Sequence, residues 1–214
     1  VADQVDLPII LYNVPGRTGC SISPSVVARL AKHPNVAGIK EASGNMSYAT
    51  QIAHLISDDF CMFSGNDDMI VPMMSLGASG VISVWANICP RQCHDLVAAY
   101  QAGDVEKARK IQLEYLDLIN ALFCEVNPIP VKEAMNQLGM GVGGYRLPLC
   151  EISDSGRETV RRALEVVGHT QKGVPFFFND DVMIPALVSK GIPYEDACGY
   201  TQIGCVETVI PGKS

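Results

Sequence analysis

The stretch "VAGIKEASGN", residues 36 to 45, decides the fold. Val36, Ala37, Gly38 and Ile39 are apolar without alternation, the pattern of a strand covered on both faces in a parallel sheet. The run then turns polar at Lys40 and Glu41 and bends through Ser43 and Gly44. An ammonium group at the end of an apolar strand needs a use or a partner, so the question passes to what stands beside it.

The same design recurs along the chain. Upstream, "LPIILY" (7–12) reads as a strand that ends in the turn-forming "NVPGRTG", and "SPSVVARLAKHP" reads as a helix with Ser23 as N-cap, Pro24 at the first helical position and Pro34 as its stop. Downstream, "NMSYATQIAHLI" places Met46, Ala49, Ala53 and Ile56 on one helical face. "FCMFSGND" (60–67) with "DMIVPMMSLG" forms a third strand and helix, and "GVISVWAN" (80–87) a fourth strand. Strand starts near 7, 36, 60 and 80 have the spacing of β/α repeats. The expected class is therefore α/β: four parallel β/α units over 1–90, half of a TIM-type (β/α)8 barrel.

From 91 to 168 the pattern is helical: "PRQCHDLVAAYQAG", "DVEKARKIQLEYLDLINALFCEV" and "PVKEAMNQLG", then a last helix opened by a capping box of Ser155 and Glu158. The glycines of "GMGVGGY" (139–145) follow a helix rather than a strand, so a helix-end turn explains them better than a dinucleotide loop. At 169 the texture changes to the aromatic-rich "GVPFFFNDD", a short segment unrelated to what precedes it.

A charge of -7, with basic residues scattered singly, argues against nucleic acid or an anionic membrane as partner and leaves small molecules or further copies of the chain. No apolar run approaches transmembrane length and no signal-peptide pattern opens the chain, so a cytoplasmic protein is expected. The eight cysteines form no C-x-x-C pair and, with the four histidines, no cluster at metal spacing. No metal site is expected, and most of the cysteines are read as reduced and structural.

Barrel chemistry sits at the C-terminal ends of the strands, and each strand here ends polar: Tyr12 and Asn13, Lys40 and Glu41, Ser64 to Asn66, Ser83 with Asn87. A lysine among apolar walls loses the solvation that stabilises its charge, so a neutral amine becomes available to attack a ketone and form an iminium. Tyr12 can shuttle the proton that this chemistry moves, and Arg17 offers a planar fork for a carboxylate. By residue type alone a strand-end lysine is more often solvated or ion-paired, with Glu41 a candidate partner.

The motifs "LYNVPGRTG", "GIKEASGN", "SGND" and "GVISVWAN" resemble the second half of the dihydrodipicolinate synthase (4-hydroxy-tetrahydrodipicolinate synthase) family, over about residues 1 to 168. That resemblance implies a Schiff-base lyase of the class I aldolase type, condensing pyruvate with aspartate semialdehyde for diaminopimelate and lysine synthesis. It implies Lys40 as the iminium former, Tyr12 as the proton relay and Arg17 as holder of the semialdehyde carboxylate. Gly65 and the Ile82 carbonyl would line the pyruvate pocket. No cofactor is implied beyond the covalent Schiff base at Lys40, and a homo-oligomer is expected. The family's first four β/α units do not occur in this sequence, and Trp85 stands where a smaller residue is expected.

Residues 169–214, with "GCVE" at Gly204 to Glu207, resemble an internal segment of glycyl radical enzymes. That resemblance implies Cys205 as a thiyl radical carrier and Glu207 as a base. The family's glycine-bearing loop and enclosing barrel do not occur here, so no radical chemistry is expected, and a joined reading frame explains the pair of resemblances better than a bifunctional enzyme. A half-barrel without catalysis, self-associating through unpaired sheet edges, is the remaining expectation.

Overall fold

A computed structural model describes residues 1–168. It divides into two compact units. Among the described residues one unit comprises 1–84 and 91–116, the other 85–90 and 117–168.

The first unit is built on a parallel sheet of four strands in the order β1-β2-β3-β4: Ile9–Asn13, Val36–Glu41, Cys61–Ser64 and Gly80–Val81. Between the strands run α1 (Pro15–Thr18), α2 (Pro24–Leu30), α3 (Met46–Ala53) and α4 (Ile70–Ser75); α5 (Pro90–Gln101) and α6 (Val105–Glu114) follow. The α/β class and the four parallel strands are as the spacing predicts. Ser23 caps α2 as expected, its Oγ accepting from Val26 N, and Asn45 caps α3 by accepting from Tyr48 N.

Register fixes which side chains share a face. Tyr12 pairs with Lys40, Lys40 with Phe63 and Phe63 with Gly80; the next tier is Asn13, Glu41, Ser64 and Val81. Side chains alternate along a strand, so the two tiers point to opposite faces. The core lies on the face that Ile39 and Met62 share with Glu41, where Val27, Ala49, Ile52 and Phe60 pack with them. Burying a side chain such as Ile39, which retains no exposed surface, stabilises by about 1.5–3 kcal/mol. Gly38 is held to its type by β3: a Cβ there would meet the Cys61 carbonyl at 2.4 Å and its Sγ at 2.7 Å.

Three expectations are corrected. The fourth strand is shorter than "GVISVWAN" suggests: pairing covers only Gly80–Val81, a side chain takes over when Asp67 Oδ2 accepts from Val84 N, and Trp85–Asn87 coil into a 3-10 turn. The helical stretch from 104 to 126 breaks at Tyr115 into α6 and α7 (Leu116–Ala121). The last helix, α9 (Asp154–Val166), is capped by Ser153 rather than Ser155: Ser153 Oγ accepts from Gly156 N at 3.0 Å. Glu158 does not close a capping box; it pairs with Arg161 and Arg162 one turn further on, where the spacing i, i+3 and i, i+4 puts opposite charges side by side.

In the second unit Trp85 is fully buried, and its 3-10 turn packs on α8 (Ile129–Gln137). The "GMGVGGY" loop follows α8 as a helix-end turn. Gly139, Gly141 and Gly143 all take positive φ, and Asn136 gathers the loop by accepting from Val142 N and donating to the Gly143 carbonyl. Among the described residues no helix is long and apolar enough to cross a membrane.

Candidate active site

Parallel pairing carries Tyr12 and Lys40 to neighbouring positions on one face, and the Lys40 Nζ lies 4.3 Å from the centroid of the Tyr12 ring. Tyr12 is half exposed, and Lys40 is partly buried. Glu41, offered by the sequence as an ion-pair partner for Lys40, points to the opposite face. Its carboxylate accepts from Asn13 Nδ2 at 2.7 Å and from Ser43 N at 2.6 Å. Among the described residues Lys40 takes part in no ion pair.

The hydrogen-bond ladder runs one rung beyond each strand. Ala42 N donates to the Asn13 carbonyl, Gly65 N to the Glu41 carbonyl and Ile82 N to the Ser64 carbonyl, at 2.7 to 2.9 Å. These rungs set Gly65 and Ile82 at the same end of the sheet as Lys40. Gly65 leaves room beside the lysine: a Cβ on it would lie 3.1 Å from Lys40 Cε and 2.5 Å from Ala42 Cβ. Only glycine leaves the lysine stem in place there.

Arg17 is exposed on α1, a single helical turn within the predicted "NVPGRTG" loop. Pro15 starts that turn. Gly19 ends it with φ 71° and donates its N–H to the Pro15 carbonyl, while the Thr18 hydroxyl donates to the Cys20 carbonyl at 2.8 Å. Tyr12, Lys40 and Gly65 are thus brought together, Ile82 joins through the ladder, and Arg17 stands on the loop leaving β1. Cys205 and Glu207 lie outside the described residues.

The tier below Lys40 and Tyr12 is fixed by two residues that residue type alone does not single out. Asn13 is 1% exposed and Glu41 3%, and they bond each other across β1 and β2. Asn13 Oδ1 also accepts from Ile22 N at 3.0 Å, and the Tyr48 hydroxyl donates to the Ile22 carbonyl at 2.6 Å. Burial, and next the Glu41 charge, push the Tyr48 phenol up to about 12. A signal was present in the sequence: two polar residues, each directly following a candidate catalytic residue, at positions a parallel register would pair.

Among the described residues no group of three or more His, Cys, Asp or Glu side chains is placed to hold a metal ion. Among the described residues Cys20, Cys61, Cys93, Cys124 and Cys150 are free thiols. A cleft of about 410 Å³ in the second unit, lined among others by Glu133, Tyr145 and Arg157, contains none of the site residues read from the sequence.

The model of the dihydrodipicolinate synthetase family matches residues 1–167, and a pyruvate formate lyase-like model matches 152–214. The 4-hydroxy-tetrahydrodipicolinate synthase of Caldicellulosiruptor bescii is 51% identical over 172 residues, 80% of this chain and 58% of the relative. That of Clostridium novyi is 48% identical over the same shares. Among solved structures, dihydrodipicolinate synthase of Thermotoga maritima superposes with a TM-score of 0.76 at 40% identity, covering 78% of this chain and 58% of its own. The chloride-inhibited enzyme of Acinetobacter baumannii complexed with pyruvate gives 0.75 at 41%, covering 78% and 57%. The chain spans a little under three fifths of the length of these relatives. On a family match that takes in every strand of the sheet and every residue around Lys40, the chain belongs to the dihydrodipicolinate synthetase family.

Proposed function

We propose that this chain carries the Schiff-base centre of a pyruvate-condensing lyase, with its four strands as half of a (β/α)8 barrel. The observation that supports it is the Lys40 amine set against the Tyr12 ring at the carboxyl end of adjacent parallel strands.

The Lys40 amine adds to C2 of pyruvate, and loss of water leaves an iminium. The iminium draws electrons from the adjacent methyl carbon, which releases a proton and becomes an enamine. That carbon attacks the aldehyde of aspartate semialdehyde, forming the new carbon–carbon bond. The amino group of the joined product then displaces Lys40 and closes the ring of 4-hydroxy-tetrahydrodipicolinate, so the lysine returns unchanged and one water has been released overall. Tyr12 passes protons in the addition and dehydration steps, Arg17 holds the semialdehyde carboxylate in a bidentate grip, and Gly65 and the Ile82 carbonyl border the pyruvate. No cofactor takes part. The product feeds diaminopimelate and lysine synthesis, and the working form is a homo-oligomer, which sedimentation equilibrium tests by finding more than one chain per particle.

Enamine formation has a signature that needs no second substrate. In deuterium oxide the chain should wash deuterium into the methyl group of pyruvate, seen as loss of its proton resonance, and Lys40→Ala should stop the exchange. Exchange that survives this substitution contradicts the proposal.

A second reading attaches to the tail, favoured by the pyruvate formate lyase-like match over 152–214. There Cys205 and Glu207 stand at the radical and base positions of glycyl radical enzymes, and the segment is silent in this chain. An activating enzyme should yield no organic radical signal in electron paramagnetic resonance; a glycyl doublet would contradict that.

A further inference from the structure

We propose that Glu41, Asn13 and Tyr48 are positioning residues: three side chains that clasp the loop from Asn13 to Ile22 and so hold Arg17 in register with Tyr12 and Lys40. The role assigned to the loop rests on the proposed function above; the clasp itself rests on the hydrogen bonds.

A carboxylate buried as deeply as Glu41 costs several kcal/mol in lost hydration unless bonded, and an apolar side chain of like volume would usually stabilise a fold as well or better. Its presence there therefore calls for a use. Among the described residues it has no cationic partner. Instead one oxygen accepts from Asn13 Nδ2 and the other from Ser43 N. The first bond turns the Asn13 amide so that its own oxygen faces Ile22 N. The second starts the turn that continues when Asn45 N donates to Ser43 Oγ, and Asn45 then caps the helix that carries Tyr48. Tyr48 closes the circuit on the Ile22 carbonyl.

Both backbone polar groups of Ile22 are therefore taken by side chains, one from β1 and one from α3. The loop between has its own internal bonds: Arg17 N donates to the Val14 carbonyl and Gly19 N to that of Pro15. A stiff turn pinned at both ends moves as one body with the strands that pin it. Asn13 and Glu41 directly follow Tyr12 and Lys40, so the clasp fixes the catalytic tier and the arginine loop to one frame. With its phenol pushed up to about 12, Tyr48 stays a donor through the neutral range.

The test is trypsin cleavage after Arg17 in the full chain, relative to cleavage after Arg109 in α6, which reports on opening of the helical scaffold. Asn13→Asp sets two carboxylates against each other, and Glu41→Gln leaves Asn13 facing an amide that cannot serve both of its former donors. Either change should raise the Arg17 to Arg109 cleavage ratio by about tenfold, the size of a lost hydrogen bond to a charged group. The double exchange Asn13→Asp with Glu41→Gln restores every bond: the new amide donates to the new carboxylate, which still accepts from Ile22 N, and the amide oxygen accepts from Ser43 N. It should bring the ratio back to within about twofold of the parent, a rescue expected of a complementary pair.

Tyr48→Phe, which removes one hydroxyl and little else, should raise the ratio several-fold and serves if an inward carboxylate prevents folding. An unchanged ratio in the single variants, no rescue in the double, or an equal rise at Arg109 would overturn the clasp. Deuterium exchange into pyruvate by the unaltered chain is read separately: its failure strikes the Schiff-base reading and leaves the clasp standing.

Discussion

The Lys40 Nζ stands 4.3 Å from the centre of the Tyr12 ring, one strand over and at the same register position. The amine sits over the ring, and the hydroxyl beyond it is the part with protons to move. Tyr12→Phe separates the two. It should leave adduct formation at Lys40 detectable while slowing deuterium exchange into pyruvate by about 10²-fold or more, the usual worth of a positioned acid or base. Proton resonance kinetics check this, and a change under twofold would remove Tyr12 from the relay.

Gly65 leaves room for the lysine by lacking a side chain. In Gly65→Ala the new methyl would sit 2.5 Å from Ala42 Cβ and 3.1 Å from Lys40 Cε. Strand and lysine must both give, at a stability cost of about 1–3 kcal/mol for overpacking. Urea unfolding should show the lowered midpoint, and pyruvate capture by the remaining folded protein should fall more than tenfold. Full capture in a destabilised protein would show that the lysine is not held by this contact.

Helix α9 offers a test of which serine starts it. Ser153 Oγ accepts from Gly156 N and donates to Glu125, so Ser153→Ala should lose about 1 kcal/mol, whereas Ser155→Ala, inside the first turn, should change stability by less than half of that. Thermal unfolding of the two variants decides between them.

Alkaline pH should loosen the first unit in a predictable direction. Burial, then the Asp67 charge, push the Cys93 thiol up to about 12, against an offsetting hydrogen bond from Ser83. A group whose folded pKa lies above its unfolded value binds its proton more tightly when folded. Its contribution is whole below the unfolded value, 9.0 for Cys93 and 10.0 for Tyr48, and drains away as pH rises toward about 12 for each. Unfolding free energy should fall from pH 9 upward, less steeply in Cys93→Ala, with Tyr48→Phe flattening only the part above pH 10.

Much of this was legible in the chain because apolar runs, turn residues and the spacing of the repeats follow local rules. The adjacency of Tyr12 and Lys40 follows once two runs are accepted as parallel strands that end at the same level. What escaped was set by partners distant in sequence. Glu41 reads as an ion-pair candidate for Lys40, yet strand alternation sends it to the other face, where Asn13, 28 residues earlier, waits for it. The fourth strand ends early because Asp67 captures Val84 N, a bond no local pattern encodes. Ser155 fits a capping box by spacing, but Glu125 and Gly156 N both meet Ser153 instead.

The central claim is that the Lys40 amine captures a keto acid, and its most direct measurement is borohydride reduction in the presence of pyruvate, followed by peptide mass mapping. The account predicts one reduced pyruvate adduct, on the peptide containing Lys40, absent without pyruvate and absent from Lys40→Ala. A folded protein that acquires no adduct, or acquires it at other lysines while Lys40 stays free, would contradict it.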